Sequence, residues 1–398
     1  MKAPFALALA LALVATLELI APSAASAATA NVGPGQSIQA AIDAASPGDT
    51  IVVAPGTYRE NLKINKDNIT LQGTPGGTTL APPGAAKVTH NPCFVSASNF
   101  DGICLPSVSG VTVSGFTVRG FLGVGIHAIN SDHLTIDNNR LNNNGLDGIA
   151  DYGGSVDTIS HNQAAGSSEA GILVADSPAA AVTVSDNTAT NNGVGIYVRD
   201  VYAYVFLPDT ILVSNVIHNQ AENNCVGILV LDTPAPPQNF GINVYGNTAI
   251  ANNKTCPPTQ YLPATTSGTG IAIIGANATS VRGNILRNNV PSDIHLPYAG
   301  GLVIASYPGG PVITDFAAAY NTAFGNKPFD IDYQRGGKAR AFTINSLPRG
   351  IGSGVIFVFN NCDTSHPQTI ILLTSEGEGL GPLCRPTPVS QDPGFPGF

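Results

Sequence analysis

Short segments in which apolar and polar residues alternate recur through most of the chain. Alternation with a period of two places one set of side chains inside a fold and the other set on its outer face, as in a β-strand. Alternating segments lie at residues 111–114, 134–137, 182–185, 242–245 and 280–283, and apolar segments that begin with Gly-Ile lie at 125–126, 148–149, 171–172, 195–196, 227–228 and 270–271. The pattern predicts many short strands and few helices.

Asparagine residues punctuate these segments in pairs separated by five residues. The first members are Asn139, Asn162, Asn187, Asn219, Asn247, Asn284 and Asn321, and the second members are Asn144, Asn192, Asn224, Asn252, Asn289 and Asn326, with Ser167 in place of one asparagine. Successive first members are 23, 25, 32, 28, 37 and 37 residues apart. A fixed motif whose spacing grows only by insertion indicates a solenoid of stacked coils. Asparagine suits the corners because it tolerates the left-handed conformation and can bond to the same amide one coil away.

The coil length distinguishes between kinds of solenoid. A coil of about 23 residues with short strands closes one turn of a right-handed parallel β-helix, whose strands stack about 4.8 Å apart. A leucine-rich repeat would need regularly placed leucines, and a propeller blade would need a period near 40 with four strands. The predicted fold is therefore an all-β, right-handed parallel β-helix from about residue 49 to residue 360.

Composition and charge agree with a solenoid and exclude one class of partner. Charged residues make up only 11% of the 398 residues, and tryptophan is absent. The net charge of −9 argues against nucleic acid, because phosphate binding needs a basic surface. An anionic ligand that meets a local group of arginine or lysine residues is still allowed.

Residues 1–27 have the features of a secretory signal peptide. Lys2 precedes an apolar run over residues 5–20, and Ala25 and Ala27 provide the small residues of a cleavage site. We expect cleavage after Ala27. No second apolar stretch reaches the roughly 20 residues that span a bilayer. The sequence thus predicts a secreted protein, extracellular or periplasmic, without a membrane span.

The cysteines suit that oxidising compartment. They fall in pairs that are close in sequence: Cys93 with Cys104, Cys225 with Cys256, and Cys362 with Cys384. Six cysteines allow 15 pairings, but contacts in a solenoid are local, so adjacent pairing into three disulfides is predicted. A metal role is not predicted, because no Cys-x-x-Cys motif is present.

One amphipathic helix is predicted near the start of the mature chain. Residues 37–45 place Ile38, Ala41 and Ile42 on one face, with Ser37 as the N-cap. Such a helix would cover the apolar end of the first coil and its unpaired strand edge.

This entry region and the repeats carry a resemblance to a known superfamily. Residues 37–58, 62–64 and 69–73 resemble the entry segment of the right-handed parallel β-helix (pectin-lyase-like) superfamily, and residues 111–326 resemble its generic repeats, as also found in NosD-like periplasmic proteins. Residues 360–384 resemble the disulfide-closed ending of secreted bacterial β-helix proteins. With the signal peptide at 1–27, the resemblance implies a β-helix at 28–360 and a disulfide-closed segment at 361–398, whose end is rich in proline and glycine and is expected to be loose. It does not specify an activity, because this fold hosts many chemistries.

Aligning the Gly-Ile strands places several polar side chains in register on one face. The residue after each Ile is expected to point outward, and so is the residue two positions further. These positions put His127, Tyr152, Tyr197 and Arg199 on one exposed face within four coils, or about 15 Å along the axis, with Asp151, Glu169, Asp176 and Asp200 at or beside its edges. Aromatic platforms, an arginine and carboxylates suit a sugar. In the lyases and epimerases of this fold class, a base removes the proton beside the sugar carboxylate and a cation stabilises the resulting anion.

Two interpretations of this face are open. In the first, the protein binds and processes an extracellular polysaccharide as a lyase, epimerase or hydrolase, with His127, Tyr152 and Arg199 as catalytic residues and Asp151, Glu169, Tyr197 and Asp200 as substrate-binding residues. In the second, it is a non-catalytic glycan-binding or structural module, and residues such as Asp200 belong to turns. A copper role, by analogy with NosD-like proteins, is disfavoured by the single methionine and seven scattered histidines. The sequence specifies no cofactor and predicts no metal site.

Overall fold

The chain folds into stacked coils that enclose a long apolar interior. The computed structural model describes residues 27–84, 93, 101–177, 182–200, 213–232, 241–258, 264–276, 279–307, 313, 315–334, 354–358, 360–366, 369–374 and 377–384. The predicted signal peptide and the tail after Cys384 lie almost wholly outside these residues. No helix in the described part of the chain is long and apolar enough to cross a membrane.

Three parallel sheets, here named A, B and C, run the length of the coils. Sheet A has 12 strands in chain order: Thr29–Val32, Thr50–Val53, Thr70–Gln72, Thr112–Ser114, Thr135–Asp137, Thr158–Ser160, Thr183–Ser185, Val213–Ile217, Gly241–Tyr245, Thr279–Arg282, Asp315–Ala319 and Gly354–Val358. Sheet B has 11 strands: Gly56–Arg59, Thr78–Ala81, Phe116–Arg119, Arg140–Asn142, Gln163–Ala165, Thr188–Thr190, Gln220–Glu222, Thr248–Ile250, Ile285–Arg287, Thr322–Phe324 and Asn361–Cys362.

Sheet C also has 11 strands, and it carries the residues of the predicted site. They are Leu62–Lys63, Ile103–Pro106, Ile126–Ile129, Ile149–Tyr152, Ala170–Ala175, Val194–Asp200, Val226–Asp232, Thr269–Ile274, Gly300–Ala305, Ile331–Gln334 and Ser365–His366. Two antiparallel pairs lie beside the coils: Thr255–Cys256 with Thr266–Ser267, and Thr369–Thr374 with Gly377–Pro382. The three parallel sheets confirm the predicted all-β, right-handed β-helix.

The asparagine pairs form two buried files along the axis, as predicted. In the first file, Asn187 Nδ2 donates to Asn219 Oδ1 at 3.0 Å, and Asn219 Nδ2 donates to Asn247 Oδ1 at 3.0 Å. In the second file, Asn192 Nδ2 donates to Asn224 Oδ1 at 3.2 Å. Each amide therefore satisfies its neighbour one coil away, and these files fix the stacking register of the coils.

The left-handed conformation at these corners belongs to a different residue than expected. Positive φ angles occur one residue before the file asparagines, for example at His161 (52°), His218 (55°) and Asn223 (61°). The asparagines themselves point inward, where their amides are needed for the files. Non-glycine residues accept the left-handed position because the two bonded files over-determine each corner.

The N-terminal helix and the disulfides agree with the predictions. The helix spans Ile38–Ala44, and the Ser37 hydroxyl accepts a hydrogen bond from the Ala40 N–H as its cap. Ile38 and Ile42 are completely buried against the first coil. The disulfides join Cys93 with Cys104, Cys225 with Cys256, and Cys362 with Cys384.

Buried apolar side chains form two separate clusters. The larger fills the interior of the coils along the whole solenoid. The smaller lies on the outer side of sheet C and includes Ala150, Leu173, Tyr197, Leu229 and Ala272. The outward face of sheet C is therefore a second buried region, in contrast to the exposed face predicted from the strand pattern.

Candidate functional site

The register of sheet C brings the predicted site residues together. His127 lies opposite Cys104 and Ala150, and Tyr197 lies opposite Leu173 and Leu229. Tyr152 and Arg199 occupy a parallel row, separated by Ala175. The prediction that His127, Tyr152, Tyr197 and Arg199 share one face is confirmed.

The exposure of these side chains was predicted wrongly. His127 is 0% exposed, Tyr197 2% and Arg199 6%. Tyr152 is only partly exposed, and so is Glu169, whose side chain is 32% accessible. The alternation of a strand reports which side chains point outward, but it cannot report whether that outer side is covered.

His127 is paired with an aspartate that the pattern did not identify. His127 Nδ1 lies 2.8 Å from Asp101 Oδ2, and both side chains are buried. The other oxygen, Asp101 Oδ1, accepts the Val124 N–H at 2.8 Å, which fixes the carboxylate. A proton on Nδ1 that is donated to Asp101 leaves the basic lone pair on Nε2. The pair therefore holds the imidazole in one tautomer and one orientation.

Arg199 is held between two tyrosine rings. Its Nη2 donates to the Tyr152 hydroxyl at 3.1 Å, and its guanidinium carbon lies 5.5 Å from the Tyr152 ring centroid and 5.7 Å from that of Tyr197. Its Nη1 lies 3.6 Å from Glu169 Oε1. The Tyr152 ring in turn lies 5.5 Å from the His127 ring. A buried cation, a phenol and an imidazole–carboxylate pair thus form one continuous cluster.

Asp147 adds a second buried carboxyl group that was not predicted. Its Oδ1 accepts the Ala170 N–H at 2.8 Å. Burial raises the pKa of Asp147 well above its ordinary value, and the nearby charge of Glu169 raises it further. A signal for both missed residues was present, because Asp101 and Asp147 each precede a Gly-Ile dipeptide where other coils have Val124 or Ala170.

We name the two parts of this face by their residues. The polar half comprises Asp101, His127, Asp147, Tyr152, Glu169, Tyr197 and Arg199. The apolar half is the same face over the next three strands: Val226, Leu229, Leu231, Thr269, Ala272, Ile274, Gly300, Val303 and Ala305.

Asp151 does not belong to this face. Its register partners are Ala128 and Val174, which lie in the interior cluster. It meets Asp157 there, and a β-carbon added to Gly154 would overlap the carboxyl oxygens of both. Burial, and then the charge of Asp157, raises the pKa of Asp151 well above its ordinary value, while burial raises the pKa of Asp157 to about 6. The placement of Asp151 beside a solvent-facing edge was therefore wrong.

The two remaining predicted residues, Asp176 and Asp200, lie at the ends of sheet C strands. Asp176 has a left-handed φ of 54° at a strand end, as expected of a turn residue. The backbone of Asp200 pairs with Asp232 in sheet C, so it too ends its strand. The side chain of Asp200 lies outside the described residues.

One group of possible metal donors occurs in the described part of the chain. Cys93 Sγ and the donor atoms of Asp101 and His127 lie within 4.8 Å of one another. Cys93 is in a disulfide with Cys104, however, and a disulfide sulfur is not the thiolate that binds metals. Asp101 and His127 also bond to each other, so this donor set does not fit a resident metal.

Comparisons with known proteins place the chain in a family. The family described as "right handed beta helix region" matches residues 63–211 and 101–307, and the chain belongs to it. No curated protein sequence matches the chain.

Solved structures with the same fold include enzymes that act on polysaccharides. The A-modules of the Azotobacter vinelandii mannuronan C-5 epimerases AlgE4 and AlgE6 are both 18% identical and align over 82% of this chain, with 90% and 89% of their own chains covered and TM-scores of 0.50 and 0.53. The catalytic domain of a GH87 α-1,3-glucanase is 14% identical over 79% of this chain and 61% of its own, with a TM-score of 0.52. At these identities the likeness concerns the fold alone.

Proposed function

We propose that the protein is exported and that it binds and processes an extracellular polysaccharide that contains uronate residues. The observation that carries this proposal is the buried Arg199, whose guanidinium contacts the partly exposed Tyr152 hydroxyl at 3.1 Å. The three disulfides and the signal-like residues 1–27 favour an oxidising compartment. Fold relatives that include mannuronan epimerases favour a carbohydrate substrate.

The chemistry of a uronate suits this cluster. Removal of the proton next to the carboxylate leaves an anion that spreads onto the carboxylate oxygens. A guanidinium held rigidly in a water-poor site stabilises that developing charge. Loss of the neighbouring glycosidic oxygen, which takes up a proton, completes an elimination, whereas return of a proton to the opposite face completes an epimerisation.

We assign roles to these side chains from their exposure. Tyr152 and Glu169 are the members of the polar half that reach solvent, so the substrate meets Tyr152 first. Tyr152 is the proton-transfer group, and Arg199 behind it is the anion-stabilising group. His127 acts through the Tyr152 ring, 5.5 Å away, and Asp101 fixes its tautomer. His127 is therefore a positioning residue in this mechanism.

A panel of uronate polymers tests the proposal. Elimination gives unsaturated ends that absorb in the ultraviolet, and epimerisation in heavy water exchanges the abstracted proton, which NMR detects. We expect Arg199→Gln to lower product formation by about 10²–10³-fold. Arg287→Gln, on the outer side of sheet B, is the matched control and retains activity. Equal activity in the two variants would overturn the assignment.

A second function is favoured by the burial of the same face. His127, Tyr197 and Arg199 continue directly into the apolar cluster of sheet C, as the parts of a structural contact would. In this alternative the protein is a non-catalytic glycan-binding or structural module. It predicts retention of the polymer without any product or proton exchange, in the wild type as in the Arg199→Gln variant.

A further inference from the structure

An exposed row of rings follows the corner between sheets A and B, on a different surface from the polar half. Each first-file asparagine follows a corner residue, and that corner residue follows the last residue of a sheet A strand. The row consists of the histidine, tyrosine and arginine side chains that occupy these two positions. We name it the A–B ridge, and its members are His161, His218, Tyr245, Arg282 and Tyr320. Tyr245 is 42% exposed and Tyr320 46%.

The His218 and Tyr245 rings fit on the ridge because glycines occupy the corner of the next coil. A β-carbon at Gly246 would come within 2.5 Å of the His218 ring, and one at Gly283 would come within 3.1 Å of the Tyr245 ring. The two glycines have φ angles of 65° and 61°, the left-handed corner conformation. The His218 and Tyr245 rings therefore each rest on the bare backbone of the next coil, while Tyr245 keeps 42% of its surface exposed.

The ridge also places charge beside the aromatic faces. The Arg282 guanidinium lies 5.4 Å from the Tyr245 ring centroid, and the His218 ring lies 5.5 Å from the same ring on its other side. Asp186 is 4.0 Å from His218 and Asp137 is 2.9 Å from His161, so the acidic partners are at the N-terminal end of the row. The end with Tyr245, Arg282 and Tyr320 is thus cationic and aromatic.

The spacing along the ridge fits a linear chain of sugars. Tyr245 pairs in register with Arg282, and Arg282 with Ala319, which precedes Tyr320. The two tyrosines are therefore two strand spacings apart, or about 10 Å along the axis. The C–H groups of sugar rings pack on the negative faces of aromatic rings, and guanidinium groups bind carboxylates.

We infer that the A–B ridge is a second binding surface for a polysaccharide that carries carboxylates, laid along the solenoid axis. Sugar C–H groups pack on the exposed surfaces of Tyr245 and Tyr320, and a carboxylate between them pairs with Arg282. The ligand class rests on the proposed function, whereas the surface is independent of the polar half. The ridge holds the polymer near the enzyme, and the polar half acts on it.

Affinity measurements with two matched polymers test this inference. The probes are polygalacturonate and alginate, each compared with its carboxyl-reduced neutral form, against the full-length mature protein in the Tyr152→Phe background. We expect Tyr245→Ala with Tyr320→Ala to weaken retention of all four polymers about tenfold. Arg282→Gln should weaken retention of the two acidic polymers only.

Exposed apolar side chains elsewhere provide the control. Leu122 is 58% exposed and away from the ridge, so Leu122→Ala should leave retention unchanged. Retention of the double tyrosine variant equal to that of Leu122→Ala, or no retention by the Tyr152→Phe parent itself, would overturn the inference. If the ridge variants bind a polymer as well as wild type does, and product still forms normally from it, the ridge inference is overturned and the proposed function is not. Retention lost in the ridge variants, with no product from any polymer when Tyr152 is intact, would overturn processing and support the ridge.

Discussion

The two halves of the outer face of sheet C have the same strand geometry. They differ in whether the buried outward side chains are charged and polar or apolar. In the polar half, Arg199 lies between Tyr152 and Tyr197 and near Glu169. In the apolar half, the register equivalents of Arg199 are Leu231 and Ile274, each only 1% exposed. The same geometry therefore supports two solutions to covering a sheet.

The difference indicates which arrangement of this face would form if stability alone were selected. Replacing a buried ion network with packed apolar side chains is often neutral or stabilising. The apolar half is therefore the arrangement with the lower desolvation cost. The polar half keeps a buried cation and two buried carboxyl groups, Asp101 and Asp147, within the same fold. Ionisable groups retained at a burial penalty are candidates for chemistry.

Removing one hydroxyl from the polar half tests this comparison with the largest expected effect. Tyr152→Phe keeps the ring over Arg199 and deletes only the O–H group that bonds to the guanidinium. We expect product formation to fall by about 10²–10⁴-fold, with thermal stability nearly unchanged. The readout is initial rate on the preferred uronate polymer, together with the melting temperature.

Tyr58 supplies the matched control for that variant. Its hydroxyl donates to the Ala54 carbonyl at 3.0 Å near the N-terminal helix, far from the polar half. Tyr58→Phe should leave the rate unchanged and lower stability by about 1 kcal/mol. A Tyr152→Phe enzyme that retains its rate and loses stability would show that the hydroxyl is only structural.

Introducing a charge into the apolar half tests the comparison from the other side. Ile274→Arg places a guanidinium in the row of Arg199 but among Leu231, Ala305 and their neighbours, with no acidic partner among the described residues of that row. An uncompensated buried charge costs about 3–5 kcal/mol. Urea unfolding should show this loss, whereas Ile274→Leu should cost less than about 1.5 kcal/mol.

The reverse exchange completes the comparison. Arg199→Leu copies Leu231 into the polar half, and we expect its stability to stay within about 1 kcal/mol of wild type, because Glu169 is exposed enough to regain water. An Ile274→Arg variant as stable as Arg199→Leu would contradict the view that the two halves differ in how they solvate charge.

Sequence patterns predicted the fold well because its signals are local and repeated. The files through Asn187, Asn219 and Asn247 follow from spacing alone, and the register of His127 and Arg199 follows from the Gly-Ile dipeptides. Burial of that face depends on contacts between segments distant in sequence, which alternation cannot report. Asp101 was missed because its partner, His127, is 26 residues away. Asp151 was misplaced although strict alternation from Ile149 already puts it inside.

The interior of the coils also contains carboxyl groups beneath the polar half and apolar side chains beneath the apolar half. This difference leads to the prediction with the smallest expected effect. Beneath the polar half, Asp151 meets Asp157 inside the coils, where the strands that follow have Val174, Val198 and Val230 in the row of Asp151. Asp157 occupies a position held by Leu134 and Val182 in the neighbouring coils. Asp157 Oδ1 accepts the Leu134 N–H at 2.6 Å, and Asp132 and His133 are the other charged groups near it.

This carboxyl pair should make stability depend on pH. Burial raises the pKa of Asp157 to about 6, above the value of about 3.9 for an unfolded chain. The folded state therefore binds more protons than the unfolded state between these values. The stabilisation is fully present below about pH 4 and is lost as the pH rises through about 6.

Replacing both aspartates with the residue of the next coil removes this dependence. Asp151→Val with Asp157→Val copies Val174 and Val182, and we expect its advantage in unfolding free energy over wild type to grow between pH 4 and pH 6. Asp49→Asn is the control, because backbone hydrogen bonds from Ser46 and Ala28 lower the pKa of Asp49, which therefore titrates below that window. Urea unfolding at a series of pH values measures both. A difference between the double variant and wild type that stays constant across the window would mean that the pair holds no extra proton, and that the interiors beneath the two halves respond alike to pH.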